Sequence, residues 1–193
     1  MAVIRNNNPT ITASPYDYDA VYADAFLQRL KDIANDIKYT PSVQPIPDNL
    51  TEYERIKVHM DSRIIDIENS YYKDFLAIAT DHRSETVYFE VDRYFENIDL
   101  LKCSCVVQYI NMGAPDKKYK LRFYPVTLKD IDSVPGKIIL AWNLGCEATE
   151  YDGDLIFSLL FYHVSQDGTH FAYCLNTLPA VGRVETGMGY SPE

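Results

Sequence analysis

The chain lacks most of the residues and patterns that would settle a function at once. Its basic residues are few: 18 Lys and Arg against 28 Asp and Glu leave a net charge of -10. Without clustered positive charge, neither nucleic acid nor an anionic membrane surface is a natural partner. Four cysteines, Cys103, Cys105, Cys146 and Cys174, are too few and too irregularly spaced to staple 193 residues into a disulfide framework, so reduced thiols are expected. The longest nearly uninterrupted apolar run, LIFSLLFY (155–162), is far too short to cross a bilayer, and the opening MAVIRNNNPT has no apolar signal core. These features predict a soluble chain made in a cytosol. Also missing are a GxSxG elbow, a P-loop, a GxGxxG turn and an HExxH helix, so nucleophilic and cofactor chemistry have no foothold. No catalytic, cofactor-binding or metal-binding residue is assigned on these grounds.

What is present is apolar material in quantity. A hydrophobic content of 47% with 13% aromatics is enough for a substantial core. Residues 1–18, rich in Asn, Thr, Pro and Tyr, show no sustained periodicity and read as an extended arm. Over 19–39 the spacing of Tyr22, Phe26, Leu30, Ile33 and Ile37 predicts an amphipathic helix, and that stripe is the candidate interface with sister copies or a neighbouring protein. Pro41, Pro45 and Pro47 make 40–50 a stiff spacer. Thr51 and Glu54 form a capping box that predicts a short second helix over 51–62, with Tyr53, Ile56 and Met60 turned inward.

From residue 63 the period drops to two. Val87, Phe89 and Val91 alternate with Tyr88, Glu90 and Asp92, and strand-like segments recur at 102–110, 119–126, 136–144, 154–164 and 169–175, separated by Gly, Pro, Asn and Asp turns. Many short strands with no helices between them predict a mainly β fold over 63–193, an antiparallel β-sandwich of immunoglobulin-like or jelly-roll-like type, preceded by the arm and one or two helices.

Three features invite chemistry. GCEATEYDGDL (145–155) places Glu147, Glu150, Asp152 and Asp154 within eight positions. An acidic turn is the plain reading, because Asp152-Gly153 suits a tight reversal; an irregular Ca²⁺ site and a glycosidase pair such as Glu147 and Asp154 stay open. Cys103-Ser-Cys105 reads as two small core residues rather than half of a zinc site, which favours two-residue spacing. Sixteen tyrosines and a single tryptophan suit either core and surface positions or sugar contact, and the alternation of Ile138, Leu140 and Trp142 favours the core for Trp142.

Taken in order, FLAIATDHRSETVYFEVDRYFENIDL, CVVQYIN, YPVT, GKIILAWNLGCEATEYDGDLIFSLLFY and LNTLPA resemble a β-domain common in phage and prophage proteins of Gram-positive bacteria. The match is similar to the N-terminal domain of the phage baseplate upper protein family and covers roughly residues 63–190. It is carried by Asp92-Arg93-Tyr94 with Asp99-Leu100, by Trp142, by Glu147-Ala148-Thr149 before Tyr151 and Gly153, and by Asn176-Thr177-Leu178-Pro179. The resemblance implies a non-enzymatic virion building block that binds other phage structural proteins in a baseplate or tail fibre; synthesis in the bacterial host cytoplasm is expected, and the stripe over 19–39 makes a homo-oligomer the expected state. The first 62 residues depart from the family, which keeps a capsid decoration or head-fibre role open. A receptor- or carbohydrate-binding module that recognises a host cell-surface glycan is the other alternative.

Overall fold

The computed structural model describes residues 46–115, 119–130, 134–165 and 171–187. The chain divides into two compact units, and the one made of Pro41–His163 and Tyr173–Glu193 holds nearly all of these residues. The arm, the helix over 19–39 and its stripe (Tyr22, Phe26, Leu30, Ile33, Ile37) lie outside the described residues.

The described fold is mainly β. Its strands are β1 (Arg55–His59), β2 (Ile64–Asp66), β3 (Ala77–Ile78), β4 (Thr86–Asp92), β5 (Tyr94–Phe95), β6 (Ile98–Asp99), β7 (Ser104–Asn111), β8 (Arg122–Pro125), β9 (Thr127–Asp130), β10 (Lys137–Asn143), β11 (Gly153–Val164), β12 (Phe171–Asn176) and β13 (Ala180–Glu185). One sheet has the order β2-β1-β4-β10-β9, a second the order β3-β13-β11-β7-β8 with β12 also paired to β11, and β5-β6 form a small ribbon. Most pairings are antiparallel, as the turn-rich sequence implies, but β1 runs parallel to β4 and β3 parallel to β13. Those two pairings correct the expectation of a purely antiparallel arrangement. The outermost strands in these orders, β2, β3, β8 and β9, are only two to four residues long, which limits the template they offer to a foreign strand.

Alternation places one face of each large sheet in a common core. Val87, Phe89 and Val91 of β4, Ile138, Leu140 and Trp142 of β10, Cys105, Val107 and Tyr109 of β7, and Leu155, Phe157, Leu159 and Phe161 of β11 all belong to one buried cluster. Trp142 is fully buried, its ring centroid 5.3 Å from Phe157, 5.4 Å from Tyr109 and 6.5 Å from Phe89.

The helix expected over 51–62 is not formed. Half of its capping box is made: the Thr51 backbone N–H donates to Glu54 Oε2 at 2.7 Å, while Thr51 Oγ1 donates to the same oxygen at 2.6 Å and the Glu54 N–H bonds to the Thr51 carbonyl instead. After one turn, however, the chain extends into β1. Ile56, Val58 and Met60, spaced by two, are the buried apolar residues, whereas Tyr53 is 52% exposed. The strand slot beside β4 outweighs a cap that secures only one turn.

The β-domain therefore starts well before residue 63. Ile46 packs on Ile139, on the side of the first sheet opposite the shared core, with Leu50 and Val134 beside them. Lys129 Nζ donates to the Ile46 carbonyl at 3.2 Å and to Asp48 Oδ1 at 2.6 Å. The end of the proline-rich segment is thus part of the fold rather than a free spacer.

Candidate functional site

A cleft of about 310 Å³ opens where β7 ends and β8 begins, beside the loop joining β10 to β11; Asn111, Ala114, Pro115, Lys120, Arg122, Glu147, Glu150 and Tyr151 line it. The acidic stretch GCEATEYDGDL thus forms one wall of a cleft. That wall is fixed from both sides. Asn111 Nδ2 donates to the carbonyls of Ala148 and Tyr151 at 2.9 and 2.8 Å, while its Oδ1 accepts from the Gly113 N–H at 2.8 Å. On the other side the Thr80 N–H donates to the Thr149 carbonyl at 2.7 Å, the Cys146 N–H donates to His82 Nδ1 at 2.9 Å, and Thr149 Oγ1 donates to the Asp81 carbonyl. Ala148 and Thr149 are buried as a result. Gly113 lies so close to Asp152 that a Cβ there would sit 2.0 Å from the Asp152 carbonyl oxygen. Only a residue without a side chain lets these two loops meet.

Within the cleft the charges are chained. Arg122 Nη1 donates to Glu147 Oε1 at 2.5 Å, Arg122 Nη2 lies 4.0 Å from Glu150 Oε2, and the Tyr151 hydroxyl donates to Glu150 Oε1 at 3.0 Å. Lys120 has no ion-pair partner among the described residues. Tyr109 lies in the core beside Trp142, and its phenol is pushed well above the usual tyrosine range, first by burial and then by the negative charge of Glu147. That phenol stays neutral at ordinary pH and belongs to the core rather than to the cleft lining.

The residues singled out by sequence divide clearly. Glu147 and Glu150 face Arg122, Asp152 Oδ2 accepts from Thr186 Oγ1 at 3.0 Å, and Asp154 sits exposed on β11 opposite Arg183. No group of three His, Cys, Asp or Glu side chains suited to a metal occurs among the described residues. Cys103 and Cys105 both lie in the core, Cys105 on β7 and Cys103 at the end of the short turn that leads into it. Trp142 is core and cannot be a sugar platform. Lys120, Arg122 and Asn111 were not legible as site residues, since Arg122 meets Glu147 across 25 positions of sequence and no local pattern joins them.

No family model matches the chain, and no curated protein matches it.

Proposed function

We propose that the protein is a non-enzymatic bacteriophage virion component, a baseplate or tail-fibre adaptor that assembles with other phage structural proteins and with copies of itself. In this reading the two large sheets face each other as a β-sandwich of immunoglobulin-like or jelly-roll-like type, and the striped segment with Tyr22, Phe26, Leu30, Ile33 and Ile37 supplies the assembly contact. The observation that carries the proposal is the role of the residues behind the phage-domain resemblance: they hold the scaffold together. Arg93 grips both Asp99 carboxylate oxygens at 3.1 Å and its carbonyl accepts from the Leu100 N–H at 2.8 Å. Trp142 fills the core and Gly153 turns with φ +127° into β11. Thr177 bonds twice to Leu159, and the Leu178 N–H donates to the Arg63 carbonyl at 2.8 Å. A domain whose distinguishing residues act as scaffold is suited to being a building block.

Mass spectrometry of purified particles is the test. Stoichiometric copies support the assignment, with fractionation into heads and tails separating a baseplate or fibre role from capsid decoration; absence from particles defeats it. The cleft at Arg122 favours a second reading, a receptor- or carbohydrate-binding module. Hydrolysis through Glu147 and Asp154 has less to recommend it, because Glu147 is committed to Arg122.

A further inference from the structure

The cleft carries an inference about ligand class that rests on the binding-module reading and not on the virion assignment. Among its described lining residues the charges balance, Lys120 and Arg122 against Glu147 and Glu150. A phosphate or polyanion gains little from such a site and would have to displace Glu147 from Arg122; a polycation would face Lys120. The wall instead alternates acceptors and donors: Glu147, the Arg122 guanidinium, Glu150 and the Tyr151 hydroxyl. Neighbouring hydroxyl groups, each able to donate and accept, fit that alternation without a change of net charge. Pro115, Ala114 and the Tyr151 ring offer apolar surface of the kind on which the C–H face of a sugar ring rests. The volume, about 310 Å³, is at the small end of ligand sites, enough for a short ligand rather than a long chain. Asn111 and Gly113 hold the walls in place before a ligand arrives, which reduces the ordering cost of binding.

We infer that this cleft binds a short neutral saccharide, one or two rings long, through Glu147, Arg122, Glu150 and Tyr151.

The test is saturation-transfer and titration NMR of the full-length protein with neutral hexoses, N-acetylhexosamines, deoxyhexoses and their disaccharides, with a hexose phosphate as the charged probe. At least one neutral sugar is expected to bind with a Kd on the order of 1 mM, and Glu150→Gln or Tyr151→Phe is expected to weaken it about tenfold or more. Lys120→Ala removes an exposed side chain without a described partner, so it probes the same cleft where a loop variant fails to fold. Binding should survive Tyr53→Ala and Tyr71→Ala, which alter an exposed aromatic pair. A blank panel, binding of the hexose phosphate alone, binding unmoved by all three cleft variants, or loss at Tyr53 and Tyr71 instead would each overturn the inference. The particle assay is independent of all these outcomes, so the virion assignment stands or falls separately.

Discussion

Replacing Trp142 with Ala tests the core directly. The indole is fully buried among Phe89, Tyr109 and Phe157. Truncating a large buried aromatic costs about 3–5 kcal/mol in lost transfer energy and residual cavity. One observation pulls the other way: Trp142 Nε1 is buried with no hydrogen-bond partner, and an unpaired buried donor costs about 1–3 kcal/mol that the Ala variant no longer bears. The net loss should be about 2 kcal/mol, equivalent to a fall in Tm of roughly 4–8 °C for a domain of this size. The same reasoning makes Trp142→Phe mild, below about 1.5 kcal/mol, because a phenyl ring keeps most of the buried aromatic volume and the orphan N–H goes. Urea unfolding followed by far-UV circular dichroism measures both, since the only tryptophan is gone from each variant. A Trp142→Ala loss under 1 kcal/mol would mean that the ring does not fill the core, and a Trp142→Phe loss equal to that of Ala would mean that the indole N–H has a partner.

Two further outcomes follow from local geometry. Gly113→Ala should destabilise by about 1–3 kcal/mol through the forced clash with the Asp152 carbonyl and should raise protease cutting in 145–152; Gly136→Ala, with φ +78° but open space around it, should cost only backbone strain of about 1–2 kcal/mol and leave that loop protected. The Arg93 guanidinium holds the Asp99 carboxyl below its ordinary value. A depressed acid contributes stability that is fully present above the unfolded value, near about 3.9, and is lost as pH falls through the lower folded value. The urea-midpoint gap between wild type and Arg93→Gln should therefore be wide at pH 7 and close below that window; a gap independent of pH would assign Arg93 a packing role only.

How far the sequence could be read depended on whether the signal was local. β4, β10 and β11 were legible because Val87, Phe89 and Val91, then Ile138, Leu140 and Trp142, then Leu155, Phe157 and Leu159 repeat with period two and bury that face. β1 was hidden by a real local signal: half of the Thr51–Glu54 capping box forms, yet it secures one turn only. β13 carries Gly182, a poor strand former by propensity, in its middle. The gap it leaves is filled by Leu76, whose Cδ1 would lie 2.0 Å from a Cβ at 182. The cleft was half legible. Its acidic wall stood out as GCEATEYDGDL, but the cation that organises it, Arg122, arrives from a different strand, and the clamp Asn111 looked like an ordinary turn residue.

The buried ion pair on the first sheet shows the same dependence on non-local pairing and gives the sharpest energetic test. Parallel pairing of β1 with β4 sets Arg55 beside Tyr88 and Lys57 beside Glu90, so Arg55 reaches Glu90 diagonally, with Nη1 3.2 Å from Oε2 and both side chains at most 10% exposed. Arg55 Nε donates to the Thr51 carbonyl at 3.1 Å, which ties the capped turn to the sheet, while Nη1 has no hydrogen-bond partner. The pair is therefore desolvated but incompletely satisfied. Such pairs resist the loss of one member more than the loss of both. Arg55→Met or Glu90→Leu alone should each cost about 3–5 kcal/mol by stranding a buried charge, whereas the double variant should recover most of that loss or match wild type. Urea unfolding of the four proteins, treated as a double-mutant cycle, measures the coupling. Single losses below about 1 kcal/mol that simply add would be the behaviour of a solvent-screened surface pair, and would refute the reading of Arg55 and Glu90 as a desolvated, coupled pair.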